Sequence, residues 1–180
     1  MWDALTQAAL QSGGAPPPVR FVPQAQLPAG EAYEQYIFRT RECPSRENLH
    51  DLFNGIVWLG MPRSKSRLNA LQAEQIERQG VGSQRGPVRD AITVFDENGA
   101  LLDAPQPLWD ALLAREWQRL FVELRPLWGE ARLLVFGHAL LEKLASPRKD
   151  LTAHVWRSPV PLGSLEAADR FLAERLDASS

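Results

Sequence analysis

Ser45-Arg46-Glu47-Asn48-Leu49-His50-Asp51-Leu52-Phe53-Asn54-Gly55-Ile56-Val57-Trp58-Leu59, running into Gly60-Met61-Pro62-Arg63-Ser64-Lys65-Ser66-Arg67, is the stretch on which the reading of this chain turns. At about 100° per residue, Leu49, Leu52, Phe53, Ile56, Val57 and Leu59 fall on one continuous arc. That arc predicts a core-facing stripe. His50, Asp51, Asn54 and Trp58 fill the neighbouring arc, which the pattern leaves to solvent. A large aromatic beside a His/Asp/Asn cluster off the core face points to a ligand site. Ser45 is the expected N-cap, with Glu47 at the positive end. Gly60-Met61-Pro62 ends the helix, and Pro62 suits the first turn of a second one, Arg63 to Arg78. Leu68, Leu71 and Ile76 give that second helix only a thin apolar stripe, so it is expected to lie largely exposed.

Upstream, Trp2 to Gln11 reads as a short helix ended by Ser12-Gly13-Gly14. Pro16, Pro17, Pro18, Pro23 and Pro28 then make a stiff, extended arm expected to lie over the surface. Glu31 to Glu42 reads as a helix stopped by Pro44. Downstream, Gly80, Gly82 and Gly86 mark a loop. Ala91 to Phe95 carries β-branched Ile92, Thr93 and Val94, and Asp96-Glu97-Asn98-Gly99 precedes Ala100-Leu101-Leu102, which together predict a hairpin. Leu108 to Leu124 reads as one helix, with Trp109, Trp117 and Phe121 committed to the core. Leu133 to Phe136 is strand-like, Gly137 starts a helix through Ala145, and Thr152 to Trp156 is strand-like. Ser164 caps a last helix, Leu165 to Leu176. The class is α+β, a helix-rich single domain with a small sheet or hairpin. Residues 1–30 form an N-terminal helix and Pro-rich arm, and residues 31–180 a single globular domain.

Composition bounds the function classes. With 180 residues and 44% hydrophobic content, the chain can bury a core. A net charge of −2 argues against a dedicated nucleic-acid binder. Basic residues outnumber acidic ones between Arg39 and Asp90, however, so RNA remains a weaker alternative. Cys43 is the lone cysteine, which excludes an internal disulfide and fits a reducing, cytoplasmic setting. The start lacks the basic and apolar regions of a signal peptide, and no apolar run reaches membrane-spanning length.

Three clusters carry chemistry. His50 and Asn54 lie one turn apart beside Asp51, and a carboxylate next to a His raises its basicity and fixes its tautomer. The plainer reading makes His50 a core-bordering residue and Asp51 a solvated one. The His-Asp pair also resembles metal phosphohydrolases of the HD type, but those need a further His upstream, and here His138 and His154 both lie downstream. In the second cluster, Arg63 and Lys65 with Ser64 and Ser66 open a helix. Free N–H groups and cations there point to an anion pocket, onto which Arg85 and Arg89 can fold back, or simply to a solvated basic turn. No Gly-rich phosphate loop accompanies it. Asp90 beside Arg89 reads as an ion pair or helix cap. In the third, His138 and Glu142 lie one turn apart. With His50 and Asp51 they make a His/His/carboxylate set suited to a divalent metal, or simply a His bonded to its neighbouring Glu. The sequence identifies no cofactor and no oligomeric state.

Three segments taken together resemble a bacterial family of uncharacterised proteins, the domain-of-unknown-function family numbered 3025. They are His50 to Leu59 running into Pro62-Arg63-Ser64-Lys65; Arg89 to Gly99; and Phe136 to Lys143. The likeness spans roughly Tyr33 to Trp156. It implies a single bacterial domain and brings no activity, cofactor or catalytic residue with it.

The expectation is therefore one polar pocket. His50, Asp51, Asn54 and Trp58 form a wall, Arg63 and Lys65 supply charge, and Arg89, Asp90, His138 and Glu142 close it. Read as an enzyme, it is a hydrolase of an anionic small molecule, with His50 or His138 as base, Arg63 and Arg89 as clamp, and Trp58 as stacking surface. The alternatives are a non-catalytic binding module for an anionic ligand or RNA, and a protein-partner-binding domain built on Trp58 and the arm.

Overall fold

A computed structural model describes residues 4, 5, 7, 17–80, 86–158 and 161–176 of the chain. Strand β1 (Arg20–Pro23) pairs in parallel with β2 (Glu42–Ser45), and helix α1 (Tyr33–Thr40) crosses between them. Val19, Phe21 and Val22 are buried. The far part of the Pro-rich segment is thus a strand with buried side chains rather than a surface strap. Proline is compatible with it because each strand of this two-stranded sheet is an edge. The expected helix over Trp2 to Gln11 and its Ser12-Gly13-Gly14 end fall largely outside the described residues. Leu5 is buried against Gly55, where a Cβ would meet its side chain at 2.5 Å. Helix α1 stops short of Glu42 because Arg41 takes the left-handed conformation, φ 59°, and turns the chain into β2.

Helices α2 (Leu49–Gly60) and α3 (Pro62–Gln79) follow with only Met61 between them. Asn48, not Ser45, caps α2: its Oδ1 accepts from the Asp51 N–H at 2.8 Å, while Ser45 is buried in β2. The helix is also rolled relative to the sequence reading. Leu49 and Ile56 are exposed (54% and 45%), and Asp51, Asn54 and Trp58 are buried. The apolar arc of α2 is broad, and a broad arc does not say which of its edges faces inward. The Trp58 ring decides, packing with Phe21, Ile37 and Cys43. Helix α3 corrects a second expectation. It is central, not exposed, and packs against α1, α2 and two later helices. Its inward residues include Ser64, Lys65, Asn69, Gln72 and Gln75, so counting apolar positions hides its burial.

The expected hairpin is instead helix α4 (Pro87–Asn98) leading directly into strand β3 (Gly99–Asp103). Gly86 and Pro87 start the helix. Val88, Ile92 and Phe95 lie at helical spacing and enter the main core. That tertiary stripe outweighs the strand preference of Ile92, Thr93 and Val94. Asp96, Glu97 and Asn98 are consequently the last turn of a helix.

The single helix expected over Leu108 to Leu124 is also overturned. Helix α5 (Gln106–Leu113) ends early, Arg115 takes φ 56°, and Arg119–Glu123 winds as a short π-helical turn followed by a 3₁₀ segment, Arg125–Glu130. The break rotates the second half. Trp109 is buried, but Trp117 and Phe121 are 54% and 57% exposed; Trp117 stacks on Phe121, and Phe121 on Trp128. Trp117→Ala is therefore expected to change stability by less than about 1 kcal/mol rather than the several expected of a core tryptophan. Urea unfolding of that variant checks it, and a loss above about 2 kcal/mol would return Trp117 to the core.

Strand β4 (Arg132–Val135), helix α6 (His138–Leu144), strand β5 (His154–Arg157) and helix α7 (Leu165–Arg175) lie close to where the sequence puts them. Ser164 caps α7 through the Ala167 N–H. β3 is the middle strand of the second sheet, antiparallel to β4 and parallel to β5. The main core joins α2, α3, α4, β3 and α7 through Val57, Leu71, Ile92, Leu101 and Leu172, with Phe136 added from the junction between β4 and α6. Among the described residues, no helix is long and apolar enough to cross a membrane. One junction positions the site. A Cβ at Gly137 would fall 2.5 Å from Glu97 O and Asn98 N, so only glycine lets the start of α6 close against the end of α4.

Candidate functional site

A cavity of about 470 Å³ opens among α1, α2, α3, α4 and the first residue of α6. Its wall holds His50, Asn54 and Trp58 from α2, Lys65 from α3, Arg89, Asp96 and Glu97 from α4, and His138.

Two imidazoles meet at this wall. His138 Nε2 lies 3.2 Å from His50 Nε2, with the rings edge-to-face. Each ring is fixed from behind. His138 Nδ1 donates to the backbone carbonyl of Asp96 at 2.9 Å, and a carbonyl only accepts. His50 Nδ1 donates to Glu142 Oε2 at 3.0 Å. Those partners assign the tautomers: both protons sit on Nδ1, and both Nε2 atoms present lone pairs. Two acceptors 3.2 Å apart repel unless a proton or a cation lies between them. Burial pushes the His138 imidazole below its ordinary pKa, with Asp96 opposing, and so favours its neutral form. Glu97 Oε1 lies 3.7 Å from His138 Nε2. His50, His138 and Glu97 thus offer three ligand atoms within 4.8 Å of one another.

Around this pair the charges are arranged in depth. Lys65 Nζ, buried, binds Asp96 Oδ1 at 2.7 Å and lies 5.5 Å from the Trp58 ring centroid. That ion pair holds the end of α4, and with it the carbonyl that orients His138. Elsewhere on the wall, Arg89 Nε and Asn54 Oδ1 are buried without a hydrogen-bond partner. Both residues are more than nine-tenths buried, and buried polar atoms are ordinarily satisfied. Asn54 Nδ2 donates to Tyr33 Oη at 3.3 Å, and Tyr33 Oη lies 3.3 Å from Cys43 Sγ. Burial raises the Tyr33 phenol well above its ordinary pKa and pushes the Cys43 thiol up to about 11. Neither ionises near neutrality, and Cys43 is no nucleophile.

Of the residues singled out in the sequence, His50, Asp51, Asn54, Trp58, Lys65, Arg89 and His138 line the cavity. Their roles differ from the expectation. Asp51 does not hold His50. It accepts from the Arg46 N–H at 2.6 Å and from the Arg46 guanidinium at 3.0 and 3.1 Å. The carboxylate on His50 is Glu142, one helix over, so Glu142 is not bonded to His138. Trp58 is a core residue rather than a solvated stacking surface. Lys65 is neutralised by Asp96.

The anion pocket at the start of α3 is already filled from within. The Arg63 and Ser64 N–H groups donate to the two carboxylate oxygens of buried Asp169, at 3.0 and 2.8 Å. The Arg63 side chain is exposed and outside the cavity wall, as is Asp90. Arg85 lies outside the described residues. Sequence reasoning missed Glu97, Asp96 and Asp169. The turn chemistry of Asp96-Glu97-Asn98-Gly99 hides the first two, whereas the spacing of Val88, Ile92 and Phe95 is the signal that puts them on a helix. Nothing local marks Asp169 as a cap, because its partners lie more than a hundred residues away.

The family model described as "Protein of unknown function (DUF3025)" matches residues 19–179, and the chain belongs to that family. The match begins at the residue before β1 and covers both sheets and every residue of the cavity wall named above. No curated protein and no solved structure matches the chain.

Proposed function

We propose that the cavity is a hydrolytic site for an anionic small molecule, with water activated at the facing Nε2 atoms of His50 and His138. The observation that carries this reading is the pair itself. Two lone pairs, each locked by a hydrogen bond behind it, converge on one point of a cavity wall. A water there can lose a proton as it attacks an acyl or phosphoryl centre. Arg89 is the cation for the substrate's negative charge. Its unpartnered Nε is a donor held in place before the ligand arrives. A volume of about 470 Å³ suits a small molecule rather than a polymer. The burial of Trp58 removes the stacking platform on which binding of RNA would rest.

The test is a panel of phosphate monoesters, phosphodiesters and carboxylate esters, assayed with wild type, His138→Ala and Arg89→Met. His138→Ala is expected to lower kcat/KM at least 100-fold, with circular dichroism unchanged. Arg89→Met should act mainly on KM for anionic substrates and leave a neutral ester unaffected. Wild-type activity no greater than that of His138→Ala across the whole panel would overturn the hydrolytic reading.

A further inference from the structure

We infer that His50 Nε2, His138 Nε2 and Glu97 bind one divalent transition-metal ion, leaving its remaining coordination open to the cavity. This deepens the hydrolytic reading by placing an ion on the two Nε2 lone pairs, so that the ion rather than an imidazole would activate the water; that consequence rests on the hydrolytic reading, and the binding of the ion does not. Four observations carry it. The first is the acceptor–acceptor contact, which demands a positive charge between the two Nε2 atoms. The second is its length. Two nitrogens about 2.0–2.1 Å from a tetrahedral ion lie about 3.3 Å apart, and the separation here is 3.2 Å.

The third observation is a carboxylate on the same side. Glu97 Oε1 is 3.7 Å from His138 Nε2, so the three donor atoms close a triangle with every side within 4.8 Å. Two imidazoles and one carboxylate suit zinc and its neighbours, whereas magnesium and calcium prefer oxygen alone. The fourth is the layer behind the ligands. Ligating histidines characteristically give their other N–H to a carboxylate or a carbonyl, which fixes the tautomer and strengthens the donor. His50 has the Glu142 carboxylate in that role and His138 the Asp96 carbonyl. All three ligands line the cavity, so a fourth position faces the space where substrate would lie. Three protein ligands with one open position is the pattern of a catalytic rather than a structural ion.

The experiment uses the full chain, stripped with chelator and titrated with Zn²⁺, Co²⁺ and Mg²⁺ by calorimetry. The visible absorption of bound Co²⁺ reports nitrogen coordination. We expect one Zn²⁺ or Co²⁺ per chain and no matching Mg²⁺ site. Affinity should fall at least 100-fold in His138→Ala and 10-fold or more in Glu97→Gln, whose half-exposed side chain makes it a safe test of the folded protein. Glu142→Gln should weaken binding about 10-fold through His50 alone. Stoichiometric binding without turnover on any substrate would retain the ion and remove the hydrolase. Turnover that survives complete chelation would keep the hydrolase and remove the ion's part in catalysis, not its binding. Zn²⁺ affinity equal in wild type, His138→Ala and Glu97→Gln would overturn the site.

Discussion

Asp169→Ala is expected to lower the free energy of unfolding by about 3–4 kcal/mol, although the hydrogen bonds of Asp169 go to Arg63 and Ser64 rather than to the cavity wall named above. Its carboxylate caps α3 from α7, taking the Arg63 and Ser64 N–H groups at 3.0 and 2.8 Å. It is 2% exposed, so water does not replace it when it is removed. Each hydrogen bond to a buried charged group is worth about 1.5–3 kcal/mol. The negative charge also sits at the positive end of an eighteen-residue helix, which adds a fraction of a kcal/mol. Asp169→Asn keeps one acceptor and should recover part of the loss. The Ser64 Oγ bond to the Asp169 carbonyl survives in both variants. Urea unfolding is the measurement. A loss below about 1 kcal/mol for Asp169→Ala would mean that the cap is not formed in solution. The same start of α3 would then again be available to an external anion, as the sequence around Arg63 and Lys65 suggests.

What the sequence made legible follows from the range of the forces involved. Helices with strong local signals, such as α2, α3 and α7, were readable because caps, prolines and 3.6-residue spacing act within a few residues. The candidate site was readable as a set of segments: His50, Asn54, Lys65, Arg89 and His138 do line one cavity. Its wiring was not. Glu142 reaches His50 across 92 positions of sequence and Asp169 reaches Ser64 across 105, and no local pattern encodes such pairings. The sequence-adjacent partner, Asp51, was the natural candidate for His50, but its neighbour Arg46 holds it more strongly, with three hydrogen bonds. The largest local error, a hairpin in place of α4, has a physical cause. Ile92-Thr93-Val94 and Asn98-Gly99 are strand and turn signals. The packing of Val88, Ile92 and Phe95 against the main core outweighs both. That single error hid Asp96 and Glu97, the residues that orient and complete the His pair.

Trp58 separates the two readings of α2 most sharply. If it were a solvated stacking surface, Trp58→Ala would abolish ligand binding and leave the fold intact. The structure assigns it the opposite role, and we expect Trp58→Ala to cost about 3–5 kcal/mol, as removal of a fully buried large aromatic does. The ring is 2% exposed and fills the space between Phe21 of β1, Ile37 of α1 and Cys43 of β2. Its loss would leave a cavity at the seam between the first sheet and α2, where Leu5 also packs. The indole face also lies 5.5 Å from Lys65 Nζ. A buried ammonium over an aromatic face gains about 1–2 kcal/mol. The loss would therefore reach the Lys65–Asp96 ion pair and, through the Asp96 carbonyl, the orientation of His138. Trp58→Phe retains an aromatic face and most of the volume, and should lose less than half as much. Chemical denaturation of the two variants, followed by Zn²⁺ titration of whichever remains folded, gives the order of effects. Stability of Trp58→Ala within about 1 kcal/mol of wild type would turn the helix back to the orientation drawn from its apolar arc. It would also place the tryptophan among the groups that meet the ligand.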